Sequence, residues 1–415
     1  MKTTRKSSHT KRASRLLFCG DIAGMYNRRI LQAFSRMAQE YFPVRFFLYD
    51  TPNPAQIPEI INMSPDGILV GGTKQTGPML QVVKTIAHRL HIPVIDVSAA
   101  LNASGFPRVI SDDLEVGRMA ARYFIERGFQ HLAFLGVDNL YWSQMRWRGF
   151  REVAAAHGLR PEFRSYPEQA TTDFRDTLSQ WAKGLATPGA VFAANDYFAN
   201  YLIEACCNRR IAVPEDIAVL GCDDDDLYGH LHEPQLSSVV LNTDEIGVCA
   251  MKTLHAMMRR RRGRVTSNPS MPPSNVLIPP TGIITRRSSD AFAVEDELVR
   301  RALEIIRAQI ADQLSVKTLL IQLGVSRPTL VRRFAEALGR APAAEISRVR
   351  FDLAVKLLRE MRQSIEQIAT AVGFASRRQF TFAFHRQFKM TPRAYRERYV
   401  RSLYRSSRGE LPLPR

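Results

Sequence analysis

Between residues 15 and 287, short apolar runs alternate with longer stretches in which apolar residues return every three or four positions. The runs at 16–19, 44–49, 67–70, 94–97, 108–111, 132–137, 190–194, 217–221 and 276–278 predict strands, bounded as they are by turn-forming residues. Between them, residues 29–41, 114–127, 142–157 and 197–209 have helical spacing. This βαβ rhythm predicts parallel, doubly wound sheets, and there are too many strands for one comfortable sheet, so two similar α/β lobes are expected. Ligands of such sheets sit beyond the carboxyl ends of the strands. There the chain gathers Asp21, Asp112 and Asp113, Asn195 and Asp196, and the run Asp223, Asp224, Asp225 and Asp226.

The last hundred residues change period and carry one pattern twice. Ser315, Gly324, Ser326, Phe334 and Pro342 are matched by Ser364, Gly373, Ser376, Phe384 and Pro392, at offsets of 49 and then 50 after the extra Ala375. Each copy reads as a short helix opened by a Ser cap, a turn containing Gly, and a second Ser capping a longer, Arg-rich helix. Two helix-turn-helix units imply a DNA reader. In the first, Leu330, Phe334 and Leu338 fall at four-residue steps and predict a buried stripe, leaving Arg327, Thr329, Arg332 and Arg333 outward. In the second, Phe380, Phe384 and Phe388 form the stripe and leave Arg377, Arg378, Gln379, Thr381 and Phe382 outward. The first residues of a recognition helix reach base edges, where Arg suits guanine, Gln adenine, and a methyl or ring the thymine methyl. Residues 343–362 predict a helix with Ile346, Leu353, Leu357 and Met361 on its apolar face. Its length of about 30 Å is close to the ~34–36 Å between successive major grooves on one side of DNA.

Charge sharpens this division. From residue 296 onward there are 24 Lys+Arg against 11 Asp+Glu, and residues 1–15 add six bases and no acid, so of the total of +18 almost nothing is left for residues 16–295. Basicity is confined to where phosphates would be met. The five cysteines, Cys19, Cys206, Cys207, Cys222 and Cys249, show no metal-ligand spacing and read as buried free thiols of a cytoplasmic protein. The apolar stretch behind the basic start is too short for a signal peptide, and no window approaches a membrane span. The Asp223 run lacks EF-hand spacing and a His partner, so no metal or cofactor is expected. No phosphate-binding loop, nucleophile elbow or HExxH motif argues for an enzyme. Arg259 to Arg262 reads as a solvated turn.

The segments from Ala190 to Asp196, from Val213 to Asp224 and from Pro234 to Val239, with Ile110 to Gly117 and Arg146 to Phe150, resemble the effector domain of lactose-repressor-like regulators. Those domains are two-lobed and related to periplasmic sugar-binding proteins. Residues 368–374, Phe380, Phe384 and the segment from Thr391 to Arg396 resemble the DNA-binding domain of the arabinose-regulator (AraC) family; the joint resemblance runs from about residue 15 to 400. It implies a two-lobed periplasmic-binding-protein-like α/β domain over 15–287, a linker over 288–296, and an all-α domain with two helix-turn-helix motifs over 297–400, between a basic tail (1–14) and a C-terminal tail (401–415). It further implies a transcription regulator, an activator of carbohydrate catabolic genes, with double-stranded DNA, a monosaccharide effector (D-xylose for this pairing of domains), RNA polymerase and a second copy of itself as partners. A different monosaccharide, a repressor, or more distantly a carbohydrate-acting enzyme are the alternatives. By match to the family pattern the ligand contacts are Asp112, Arg146, Asn195 and Asp223. Trp142 either stacks on the sugar or packs at a helix start. The family has Gly where this chain has Lys389, which predicts a turn of altered shape there.

Overall fold

The computed structural model describes residues 13–397 apart from 73–75, 103, 167–171, 232, 262–274, 295, 361 and 362. The first lobe is built from β1 (Ser14–Cys19), α1 (Met25–Tyr41), β2 (Val44–Tyr49), α2 (Ile57–Met63), β3 (Gly67–Val70), α3 (Thr76–Leu90), β4 (Val94–Asp96) and β5 (Arg108–Ser111). The chain then crosses into a second lobe with α4 (Asp113–Ile125), β6 (His131–Gly136), α5 (Tyr141–Ala156), β7 (Glu162–Ser165), α6 (Thr172–Gly184), β8 (Gly189–Ala193), α7 (Asp196–Asn208), β9 (Ile217–Cys222) and β10 (Ser237–Val240). Helix α8 (Thr243–Arg261) and β11 (Asn275–Ile278) return to the first lobe, and β12 (Gly282–Ile284) ends in the second. The sheet orders are β11-β5-β4-β3-β1-β2 and β12-β10-β9-β8-β6-β7, parallel except where β12 runs against β10.

The anticipated strands form within one or two residues of their expected bounds. Continuous apolar runs such as Leu16 to Cys19 and Ile217 to Leu220 are buried on both faces, as central strands of a helix-covered parallel sheet must be. Three strands escape the apolar pattern. At the edge, β7 is polar, and β12 has three residues. Strand β10 opens with Ser237 and Ser238, both fully buried because their hydroxyls are used: Ser237 donates to the Arg286 carbonyl and Ser238 to the Asp196 carboxylate.

The C-terminal helical part comprises α9 (Glu297–Ala308), α10 (Val316–Leu323), α11 (Arg327–Leu338), α12 (Pro342–Glu360), α13 (Ile365–Ala371) and α14 (Arg377–Phe388). Ser315, Ser326, Ser364 and Ser376 each cap the following helix by accepting a backbone N–H, so the repeated serines set the helix starts. Each unit has its own core. Leu319, Leu330, Phe334 and Ile346 pack with α9, while Phe351, Leu358, Ile368, Phe380 and Phe384 form the second cluster. Helix α12, at 19 residues about 28 Å long, contributes to both and fixes their separation.

Five expectations change. Lys389 adopts a left-handed conformation (φ 56°, ψ 21°) nearly superposable on that of Gly339 (φ 65°, ψ 15°), so the turn keeps its shape despite the substitution. Arg259, Arg260 and Arg261 form the last turn of α8, where basic groups meet the negative end of the helix dipole, instead of a loop. Cys207 is exposed on α7, whereas the other four thiols are buried. Leu338 and Phe388 are only half-buried at the ends of their stripes. The linker is shorter than 288–296, because Ser288 and Ser289 are fully buried in the second lobe, the Ser288 hydroxyl donating to the Val219 carbonyl. Met361, Arg262 and the two tails beyond 13–397 lie outside the described residues.

Candidate ligand cleft and nucleic-acid interface

Among the described residues the chain passes between lobes three times, near Asp112, Asn242 and Thr281, and the carboxyl ends of both sheets face the space between. At its floor a buried ionic chain has formed. Arg146, on α5, donates from Nε to Asp113 (2.8 Å) and from Nη1 to the Ala194 carbonyl, and lies 3.7 Å from Asp223. Both Arg146 and Asp113 are 4% exposed, so each charge is held only because the other is present. Burial pushes the Asp113 carboxyl up and Arg146 opposes that shift. Asp223, in a positive-φ conformation (107°) beyond β9, is pushed up to about 6 by burial, with Arg146 again opposing.

The half-buried Trp142 ring lies 4.9 Å under the Arg146 guanidinium, and its backbone N–H donates to the Ala99 carbonyl of the first lobe. Arg29, also from the first lobe, reaches the Asp223 carbonyl and the Asp226 carboxylate, both at 3.3 Å. Asp112 and Asn195 are side-chain caps of α4 and α7, accepting from the N–H groups of Glu115 and Phe198. Thus Arg146, Asp223 and Trp142 come together, while the residues turned inward at the two caps are the neighbours Asp113 and Asp196. Asp196 accepts from the Ser238 hydroxyl and the Asp225 N–H, and burial raises its carboxyl well above the usual range.

The sequence reading named Asp113 and Asp196 only among the polar residues gathered at strand ends and missed Tyr26 and Arg108. Tyr26 donates to the Val97 carbonyl, and its phenol, raised by burial, lies in the field of Asp113, Arg146, Asp223 and Asp96. Arg108 is 3% exposed, 3.5 Å from Asp96 and 5.3 Å over the Tyr141 ring. A charged residue opening an apolar strand was the available signal. Among the described residues no group of His, Cys, Asp and Glu is placed to hold a metal ion.

On the reader, Arg327, Arg332, Arg377, Arg378 and Gln379 are exposed, Thr329 and Thr381 are half-buried on the same helices, and Phe382 is 73% exposed. The arginines differ in their commitments. Arg332 pairs with Glu336 one turn on, at 3.1 Å, and Arg333 turns back to Asp296, the cap of α9, also at 3.1 Å. Between the two units a cavity of about 530 Å³ is lined by Ser315, Ser347, Arg350, Phe374, Gln379 and Phe382, among others.

A periplasmic binding protein-like domain family matches residues 121–289, and a helix-turn-helix domain family matches residues 319–398. Two relatives span nearly the whole chain: the xylose operon regulatory protein of Haemophilus influenzae is 27% identical over 393 residues (90% of this chain, 95% of the relative), and that of Escherichia coli K12 is 25% identical over 382 (90% and 94%). The chain is a transcription regulator with the same two-domain build, a periplasmic-binding-protein-like domain ahead of a helix-turn-helix domain. A solved xylose-binding transcription activator, 23% identical, aligns over 94% of the regulator and 98% of its own chain with a TM-score of 0.57, which establishes the common fold from end to end. A cellobiose complex of another transcriptional regulator aligns with 67% of the regulator and 85% of its own chain, at a TM-score of 0.54 and 20% identity. No described helix of the regulator is long and apolar enough to cross a membrane.

Proposed function

We propose that the regulator is a cytoplasmic, D-xylose-responsive activator that works as a dimer. The observation that carries the ligand side is the buried line Asp113, Arg146, Asp223 with the Trp142 ring beside it. Vicinal hydroxyls need carboxylate acceptors, a guanidinium donor and an apolar face for the ring's C–H groups, and these are present within one cleft. Two carboxylates against one guanidinium leave the floor net negative, which favours a neutral sugar over a uronic acid or sugar phosphate. Both relatives that span nearly the whole chain regulate a xylose operon, which favours xylose among neutral sugars. Asp112 at the crossover and Asn195 and Asp223 of the second lobe, with Arg146 and Trp142, would contact the sugar.

Closure about the three crossovers then draws the lobes together and moves the attached reader. In a dimer, two readers would occupy direct half-sites and recruit RNA polymerase. Arg377, Arg378, Gln379 and Thr381 in one unit, and Arg327, Thr329 and Arg332 in the other, would meet DNA, while Arg333 stays on Asp296. Thermal unfolding against a panel of monosaccharides tests the reading. A ligand at ~100 times its dissociation constant adds about 2.7 kcal/mol. D-xylose should raise the transition selectively, and Asp223→Ala should remove the shift. A shift with another sugar replaces the effector and keeps the architecture; no shift with any sugar removes the sugar reading.

A further inference from the structure

Helix α4 begins in the ligand cleft and ends against the DNA-binding domain. At its start Asp112 caps it and Asp113 pairs with Arg146. It is held to α5, which carries Arg146, by an unusually close crossing: a Cβ on Gly117 would stand 1.9 Å from the Arg146 carbonyl oxygen, and one on Gly149 2.0 Å from that of Leu114. Backbones this close leave no room for the two helices to slide independently, so α4, α5 and the Arg146 guanidinium move as one body. Thirteen residues, about 20 Å, carry that body to its far end.

At that end Arg340, just past α11, donates to the Glu126 carbonyl at 2.7 Å, and Arg348, on α12, pairs with the Glu126 carboxylate at 2.9 Å. Both arginines also grip Glu345, which is fully buried: Arg340 at 2.6 Å and Arg348 at 2.8 Å. Burial would raise the Glu345 carboxyl, yet the two guanidiniums hold it below its ordinary range. The next residues complete the joint. The Arg127 carbonyl accepts from the Ala293 N–H of the linker, and Gly128, at φ +85°, lies so close to Ala293 O and Val294 that an added Cβ would meet both at 3.2 Å, with Leu338 of α11 at 3.6 Å. The linker is pinned from the reader side as well, Arg307 pairing with Asp290 and lying 4.0 Å over the Phe292 ring.

We propose that α4 is the lever that couples the cleft to the reader, and that Glu126, Arg340, Arg348 and Glu345 are the clasp through which it positions the first helix-turn-helix unit. The coupling to sugar rests on the reading of the cleft given above; the clasp itself does not. A rigid helix with one end on the ligand's counter-ions and the other on α11 and α12 transmits a displacement of Arg146 without any change in the intervening residues. Removing the clasp should therefore leave both binding sites intact and disconnect them.

The full-length protein with Glu126→Gln, Arg348→Gln and both together tests this. In the absence of sugar, amide exchange over residues 123–129 and 340–348 should rise at least threefold in each single variant, and no further in the double; unchanged exchange overturns the clasp. D-xylose affinity should stay within twofold of wild type, since Glu126 lies outside the cleft. The ratio of DNA affinities with and without D-xylose should move to within twofold of one in all three variants. A ratio kept at the wild-type value overturns the lever. If wild type binds no D-xylose, it is the sugar reading that fails, and the clasp stands or falls on the exchange data and on sugar-free DNA affinity, which should differ between wild type and Glu126→Gln by at least threefold. Gly128→Ala, which crowds the joint without touching an ionic group, should reproduce the loss of coupling.

Discussion

Replacing Arg146 by Met keeps most of the side chain's volume and removes its charge. Asp113 is then left 4% exposed with no cation in contact, only the more distant field of Arg108, and the Ala194 carbonyl loses its donor. Breaking a buried pair in this way costs about 3–5 kcal/mol, whereas exchanging both members for neutral groups of similar shape is often close to neutral. Arg146→Met should therefore lower the stability of the second lobe by about 3–5 kcal/mol at pH 7, and Asp113→Asn added to it should recover at least about 2 kcal/mol. The pH dependence has a definite sign. Burial already raises the Asp113 carboxyl, and without Arg146 it rises further, so the stability tied to its protonated form is present at low pH and is lost as pH rises through the folded value. The deficit of the single variant should thus shrink between pH 7 and pH 5. All three tryptophans, Trp142, Trp147 and Trp181, lie in the second lobe, so urea unfolding followed by their fluorescence reads this lobe directly. A deficit under about 1 kcal/mol, or one that ignores pH, would refute the view that the cleft floor is an obligate ion pair.

D-xylose should bind about tenfold more weakly at pH 5 than at pH 8, because sugar hydroxyls donate to the ionised Asp223, whose carboxyl is pushed up to about 6 and must first lose its proton. The same shift makes Asp223 favour the unliganded fold below its ordinary carboxylate range and lose that contribution as pH rises through about 6; Asp223→Asn should remove both dependences, read by titration calorimetry and by melting against pH. Lys389→Gly should stabilise the second helix-turn-helix unit by about 0.5–1 kcal/mol, since Lys holds a left-handed φ of 56° that glycine adopts freely, and slower amide exchange in α14 would register it. Arg377→Ala and Arg378→Ala should each weaken DNA binding, and loss of a phosphate contact should cut the salt slope by about one, whereas Arg333→Ala, already paired with Asp296, should change the slope little in filter-binding or anisotropy titrations.

Local information was enough for much of this protein. Apolar runs buried on both faces announce parallel strands, and serines ahead of Arg-rich amphipathic stretches announce capped helices, because strand burial and helix capping are decided within a few residues. The repeat of Ser315 to Pro342 in Ser364 to Pro392 fixed two helix-turn-helix units, and the aromatic stripe of Phe380 and Phe384 fixed which face is buried. At the strand ends the side chains of Asp112 and Asn195 cap α4 and α7, while the carboxylates buried beside them are Asp113 and Asp196. A one-residue choice at a helix start depends on which way the first turn faces, and that is set by the lobe it packs on. Strand β10 was invisible because its serines are buried by partners about 40 to 50 residues away, Asp196 and Arg286. The pairing of Asp113 with Arg146, the glycine crossing of α4 and α5, and the grip of Arg340 and Arg348 on Glu126 belong wholly to tertiary structure. Each joins groups separated by tens to hundreds of residues, and no period or motif in the chain encodes which charges will share a buried space.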